Sequence, residues 1–159
     1  MLDEDGSLVV LFSALCHDLG KPATTTTKDG RLISHGHEPA GEEPAKKFLA
    51  TLGALGLIRD KVVHLVVNHL SPTLLCTNET VRQQFVSDGA IRKLADRIGP
   101  ATIHELALVA EADHVGRGPF QDPEIPEQLL LNFRDYPAGK WLLGRARALA
   151  VEKSKPADL

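Results

Sequence analysis

The chain has 159 residues and a net charge of −3, which allows one domain with a buried core but gives no general electrostatic grip on nucleic acid. Hydrophobic residues make up 43% and charged residues 25%, an ordinary balance that excludes wholesale disorder. No apolar run reaches the roughly 18 residues of a membrane span, and the N-terminus is acidic where a signal peptide would be basic. We therefore expect no membrane association and a cytoplasmic location.

The first predicted helix spans residues 7–19. This stretch is apolar on nearly every side, so periodicity cannot separate a buried helix from a buried strand, but its length and acidic start favour a helix. Gly20 and Pro22 end it. Residues 21–38 lack any sustained pattern and are expected to form a loop, which carries His35 and His37.

Two helices are predicted next, over 45–52 with Pro44 at the first position, and over 58–70. At about 100° per residue, the apolar side chains of the second helix share one arc, and His69 falls inside it. His64 lies about 140° away from His69 on this wheel. The two imidazoles are therefore not expected to serve one site, and His64 is placed on a polar side with Asp60, Lys61 and Asn68.

Further helices are predicted over 79–86, capped by Asn78, over 90–98 and over 101–113. The last one is amphipathic and places Asp113 on its apolar face, so a carboxylate points toward the core. Beyond it we expect a loop at 116–126, a short apolar piece at 128–133, a turn at 136–139 and a helix at 140–153. The expected fold is an all-α, compact helical bundle, one domain over 1–153 with a frayed tail over 154–159.

Imidazoles and carboxylates thus occupy positions where an unpaired polar group is costly: His17, Asp18, His69 and Asp113, with His35 and His37 in the loop. Nitrogen and oxygen ligands without thiolates suit divalent Mn, Fe, Co, Ni, Zn or Mg. The two cysteines, Cys16 and Cys76, are expected to be free thiols. Each candidate ligand also has an ordinary explanation, since lone histidines are common and Asp113 can pair with Arg97 or Arg117.

Five segments carry a family resemblance: LFSALCHDLGKP (11–22), SHGHEPAG (34–41), VNHL (67–70), LALVAEADHVGRG (106–118) and YPAGKWLL (136–143). In this order they resemble the C-terminal HD domain of bacterial CCA-adding enzymes, the multifunctional tRNA nucleotidyltransferases. The resemblance implies a helical HD-domain bundle with a divalent metal held by His17, Asp18 and Asp113. His37 and His69 match additional histidines that bind a second metal or a phosphate, whereas His35 and His64 match none.

Two features depart from that family. No Gly-Ser followed by a spaced Asp-x-Asp is present, so we expect no CCA addition. The family's first histidine, about one helix ahead of His17, also has no counterpart, because none of the sixteen preceding residues is His. Three explanations stay open: a truncated or trimmed domain, completion of the site by His35 or His37, or weak metal binding.

The resemblance implies a metal-dependent phosphohydrolase that acts on phosphomonoesters, or on 2′,3′-cyclic and 2′-phosphates of nucleotides or RNA ends. Asp18 would bind the metal and orient the attacking water, and His37 or His69 would protonate the leaving oxygen or hold the phosphate. Lys21 and Arg117 are the cations expected to bind the other phosphate oxygens, unless they are merely solvated.

The alternative is a catalytically impaired HD scaffold that contacts RNA or docks a partner. The missing first histidine favours it, whereas the polar groups kept at core-facing positions favour the enzyme, because a decayed site would not keep them unpaired. We expect a phosphorylated small molecule, a nucleotide or an RNA end as partner, without a membrane and without strong general nucleic-acid binding. A homodimer is among the expected assemblies.

Overall fold

The structure is a computed structural model that describes residues 2, 4–54, 56–116 and 135–151. The expected all-α class is confirmed, because helices dominate and the described ranges contain only one two-stranded sheet. None of the described helices is long and apolar enough to cross a membrane. In chain order the elements are α1 (Glu4–Cys16), α2 (Lys21–Thr24), β1 (Thr26–Lys28), β2 (Arg31–Ile33), α3 (His37–Ala40), α4 (Glu42–Thr51), α5 (Leu57–Asn68), α6 (Ser71–Thr80), α7 (Asp88–Ile98), α8 (Ile103–Gly116) and α9 (Pro137–Ala148).

Helix α5 lies at the centre of the molecule and packs against α1, α3, α4, α7 and α8. Its Val62, Leu65 and Val66 are fully buried, and each contributes about 1.5–3 kcal/mol of hydrophobic stabilisation relative to an exposed side chain. The predicted free thiols, Cys16 and Cys76, are confirmed as buried and unbridged. Because α1 and α8 pack on α5 and on each other, the ends of these three helices are held close together.

A capping box starts α8 and ties it to α5. Thr102 Oγ1 accepts the N–H of Glu105 at 3.1 Å, while Glu105 Oε2 accepts the N–H of Thr102 at 2.7 Å. Glu105 is 2% exposed, and its Oε1 accepts a hydrogen bond from Lys61 Nζ of α5 at 2.9 Å. The helix that carries Asp113 is thereby fixed at its first turn.

The expected loop over 21–38 is wrong in part, since this range contains the single-turn helix α2, a hairpin and the first two residues of α3. Strands β1 and β2 pair antiparallel, with Thr27 opposite Leu32. Asp29 and Gly30, the two residues between the strands, have φ values of 51° and 74°, as the favoured two-residue hairpin turns require. The Asp-Gly pair was the available sequence signal for a hairpin, but strands of three residues are too short to show alternation of apolar and polar residues.

Two helix predictions and one turn prediction need correction. The predicted helix over 79–86 is wrong, because the helix is α6, Ser71–Thr80, which begins with Pro72 in its first turn. The predicted turn at 136–139 is the start of α9, again with a proline at the helix start. Helix α7 begins at Asp88, earlier than predicted, because Ser87 caps it through the N–H of Ala90.

Some predictions fall on residues outside the described part of the chain. The loop at 116–126 and the apolar piece at 128–133 lie there, except for Gly116, which ends α8. The tail at 154–159 lies there as well, so the domain boundaries stay a prediction.

Candidate metal centre

His17 and Asp18 lie in the turn directly after α1. His17 Nδ1 is 2.7 Å from Ala14 O, and because a carbonyl oxygen only accepts, Nδ1 carries a hydrogen and donates it. His17 Nε2 lies 3.3 Å from Asp18 Oδ2 and 3.3 Å from Asp113 Oδ1. The turn thus joins the end of α1 to Asp113 on α8.

His37 and His69 face each other beside Asp18, and with His17 and Asp113 these residues form a cluster. His37 Nδ1 is 2.8 Å from Ser34 O, and His69 Nδ1 is 2.7 Å from Val66 O. Both rings therefore carry a hydrogen on Nδ1, and in a neutral imidazole that leaves a lone pair on Nε2. The two Nε2 atoms are only 3.3 Å apart. Opposed lone pairs at this distance require a proton or a cation between them.

Two histidines of the cluster have shifted pKa values. Burial lowers the pKa of His69 to about 4, so its ring is neutral near neutral pH. The hydrogen bond to Asp113 raises the pKa of His17 and outweighs the opposite effect of burial. The contact with Asp113 thus favours the protonated form of His17, and metal binding would compete with that proton.

Asp18 is the centre of the group. Its Oδ1 lies 3.7 Å from His37 Nε2, and its Oδ2 lies 2.5 Å from Lys21 Nζ. Asp18, His37 and His69 each offer a ligand atom, and these atoms lie within 4.8 Å of one another. Because Asp18 and Asp113 each have an oxygen 3.3 Å from His17 Nε2, these oxygens lie at most twice that distance apart. This is inside the limit of about 10 Å beyond which one metal shell could not include both.

Gly20 allows the turn after α1 to approach α3. A Cβ at this position would overlap the carbonyl oxygen of His37 and lie 2.6 Å from the backbone N of Gly41. Both neighbours are backbone atoms, which cannot rotate away as a side chain could. The glycine in His-Asp-Leu-Gly-Lys is therefore what allows His37 to stand beside Asp18.

The other predicted residues lie elsewhere. His64 Nδ1 donates to Arg97 O, 3.0 Å away, so His64 does not join the cluster. The inward placement of His69 is confirmed, since it is 1% exposed. His35 is exposed, so it is His37 that stands with Asp18. Arg97 donates to Asn68 Oδ1 at 2.5 Å, and Arg117 lies outside the described residues.

Asn68 was placed on the polar side of its helix, and this was wrong. It is 4% exposed, because Arg97 of α7 covers the last turn of α5. Sequence reasoning also missed Glu38. Its carboxylate accepts the N–H of Leu70, and burial raises its pKa. Glu38 directly follows His37 in the chain and thus links that segment to Leu70, the residue after His69. No periodic pattern marks Glu38 in the sequence.

The chain belongs to the HD domain family, whose profile matches residues 2–118. The matched range contains all five residues of the cluster: His17, Asp18, His37, His69 and Asp113. HD domains are generally metal-dependent hydrolases that bind divalent metals. No solved structure matches the chain. The donor set fits such an ion, since three imidazoles present Nε2 and two carboxylates are adjacent.

Proposed function

We propose that this protein is a metal-dependent phosphohydrolase acting on phosphomonoesters, or on 2′,3′-cyclic and 2′-phosphates of nucleotides or RNA ends. The observation that carries the proposal is the 3.3 Å approach of His37 Nε2 and His69 Nε2 beside Asp18. Both Nδ1 atoms are already bonded to backbone carbonyls, so each ring has only Nε2 left for a ligand, and one cation bound by both rings would fit this arrangement.

Five side chains are proposed as the ligands of a divalent Ni, Mn, Co, Mg, Fe or Zn: His17, Asp18, His37, His69 and Asp113. When bound, such an ion lowers the pKa of a coordinated water and polarises a phosphoryl oxygen. The backbone carbonyls at the three Nδ1 atoms hold each ring in one orientation. Because these three contacts fix the rings without an ion, they support a metal site that is already formed before the ion binds.

Other roles in the reaction, namely orienting water, donating a proton and binding phosphate, are proposed for side chains at the site. Asp18 is 38% exposed at its side chain and can accept a hydrogen bond from the attacking water. A histidine that binds the metal through Nε2 has no nitrogen left to give a proton, because its Nδ1 donates to a backbone carbonyl. Proton donation to the leaving oxygen, or phosphate binding, is therefore proposed for whichever of His37 and His69 is not a ligand. Lys21, with its side chain 44% exposed, can turn from Asp18 to the non-reacting phosphate oxygens. Arg117 is proposed for the same task.

A closer relationship within the HD family is part of the same proposal. The ordered segments of the sequence support a specific relation to the HD domain of CCA-adding enzymes, with a nucleotide or RNA end as substrate. A cytoplasmic location and a homodimer belong to the same proposal.

A second candidate function is a non-catalytic module that contacts RNA or a partner. Two contacts favour it: Lys21 Nζ lies 2.5 Å from Asp18 Oδ2, and His17 Nε2 lies 3.3 Å from Asp113 Oδ1. Protein groups can therefore balance both carboxylates without a metal. In such a module, the opposed Nε2 atoms of His37 and His69 would need a proton between them in place of the metal.

The test uses chelator-treated protein reloaded with Mn, Co or Ni, with metal content and hydrolysis measured on phosphomonoesters and 2′,3′-cyclic nucleotides. We expect low activity before reloading, restored activity after it, and none in Asp18→Ala. His69→Ala should lose metal, whereas the matched control His64→Ala should keep both metal and activity. Folded, metal-saturated protein that hydrolyses none of these substrates would leave the binding module as the better description.

A further inference from the structure

A cleft of about 790 Å³ opens beside the candidate metal centre. Lys21 and His37 line it and both lie beside Asp18, so the cleft borders the cluster. Its size is in the range of pockets that bind organic small molecules, and it is larger than a phosphate alone requires. The extra space implies a ligand that extends beyond the phosphoryl group.

Two elements contribute apolar residues to the lining of this cleft. One wall comes from the hairpin, with Leu32 and Ile33, and the other comes from the start of α6, with Leu70 and Leu74. Leu32 is 77% exposed and Leu74 is 50% exposed. Two exposed leucines from separate elements on one cleft are what a site for an apolar group presents.

The cleft also has polar lining residues: Lys21, Ser34, His35, His37, Glu38 and Thr73. Among them Lys21 and His37 contact Asp18, so the anionic part of a ligand is favoured near the cluster and its apolar part near the leucines. A phosphate ester has this division between a charged phosphoryl group and an organic leaving group.

The hairpin wall is held in place at both ends. Asp29 and Gly30 form its tight turn, and Thr25 Oγ1 lies 2.7 Å from Ser34 Oγ at its open end. The pairing of Thr27 with Leu32 fixes the register between these two points. The wall is therefore a built part of the fold that can discriminate between ligands.

We propose that this cleft holds the leaving group of the phosphate ester, and that Leu32 and Leu74 select a leaving group with an apolar face, such as an aryl or benzyl group. The inference rests on the proposed function, because it assigns one part of that substrate to one part of the same site. It adds the specificity-determining residues and the chemical class of the leaving group.

The experiment compares benzyl phosphate with ethyl phosphate, whose leaving alcohols have similar acidity but differ in apolar surface. Leu32→Thr and Leu74→Gln keep residues suited to a strand and a helix, and both positions are exposed, so the fold is retained. We expect the ratio of kcat/KM for benzyl over ethyl phosphate to fall about tenfold in the double variant.

The control is Leu11→Gln, an α1 leucine that is 66% exposed and does not line the cleft. Its benzyl-to-ethyl ratio should equal that of the wild type. An unchanged ratio in the cleft variants, or an equal fall in Leu11→Gln, would overturn the inference while leaving the phosphohydrolase proposal intact.

Binding provides a readout that does not depend on turnover. Benzylphosphonate and methylphosphonate cannot be hydrolysed at the P–C bond by this chemistry, and their affinities for Mn-loaded protein can be measured by calorimetry. Tighter binding of benzylphosphonate, lost in the cleft variants, supports the apolar subsite in the cleft independently of the turnover measurement. Equal affinities in the wild type would overturn it.

Discussion

Gly20 determines how closely the turn after α1 approaches the segment that carries His37. We expect Gly20→Ala to force the two backbones apart, because its methyl group would overlap the carbonyl oxygen of His37. The strain should destabilise the fold by about 1–3 kcal/mol, as overpacking of well-packed positions does. Metal affinity should fall at least tenfold, since His37 would move away from Asp18. Thermal unfolding and metal titration measure the two effects.

Gly144 provides the control at the same substitution. It lies inside α9, and a Cβ there would meet nothing within 4 Å. Gly144→Ala should therefore raise stability by about 0.5–1 kcal/mol, the usual preference of a helix for alanine, and leave metal binding unchanged. Equal behaviour of the two variants would contradict the steric role assigned to Gly20.

Single residues also show how far sequence reasoning reached. The wheel separated His69 from His64 because a helix with a defined apolar arc fixes the direction of each side chain. It did not reveal that the Nδ1 atoms of His17, His37 and His69 meet backbone carbonyls, because those contacts depend on how turns close. The buried Asn68 was missed for a related reason, since Arg97 comes from another helix.

At the scale of elements, Glu79 joins α6 to α9. Trp141 Nε1 donates to Glu79 Oε2 at 2.7 Å, and Arg145 donates to Oε1 at 2.7 Å. The hydrogen bond from Trp141, with that from Arg145, lowers the pKa of Glu79. A lowered folded-state pKa means that the carboxylate stabilises the fold above its ordinary value of 4.5, and that this contribution is lost as the pH falls below it.

We therefore expect Glu79→Gln to lower the free energy of unfolding by about 1 kcal/mol near pH 7, and by much less near pH 3. Urea unfolding across this pH range measures the difference. The control is Glu43→Gln, which removes the ion pair between Glu43 and Lys46. Because the Glu43 side chain is 69% exposed, this change should have little effect on the free energy of unfolding. A deficit of Glu79→Gln that does not change with pH would contradict the electrostatic account.

The elements that were predicted well have long apolar patterns, and those missed are short or begin at proline. Helix α5 was predicted over 58–70 and is found at Leu57–Asn68. Helix α6 begins at Ser71-Pro72, directly after His69 and Leu70, so the apolar run that ends α5 hid a second helix start. The hairpin had only its Asp-Gly turn as a signal, because tertiary packing decides whether strands of three residues form.

At the scale of the whole molecule, the proposed ligands come from the turn after α1, from α3, from the residue after α5 and from α8. The unfolded chain does not hold these groups together, so an ion binds the folded state preferentially. Saturating Mn or Co at about 100 times its Kd should stabilise the fold by about 2.7 kcal/mol. For a domain of this size that corresponds to a rise in Tm of about 5–10 °C.

Scanning calorimetry with chelator and with added metal measures this rise. Asp113→Asn is the comparison, because it changes one carboxylate of α8 and should reduce the rise while leaving the metal-free Tm close to that of the wild type. A Tm that does not respond to any of the metals in the folded wild type would show that the cluster does not bind them.

The backbone contact at Gly20 also limits how this centre can be engineered. Copying residues 17–21 onto the end of another helix would transfer one imidazole, one carboxylate and a lysine. It would not transfer His37, whose position depends on a backbone that fits against Gly20. A grafted site would therefore have to carry the segment from α2 through α3 together with the motif, hairpin included, as a single cassette.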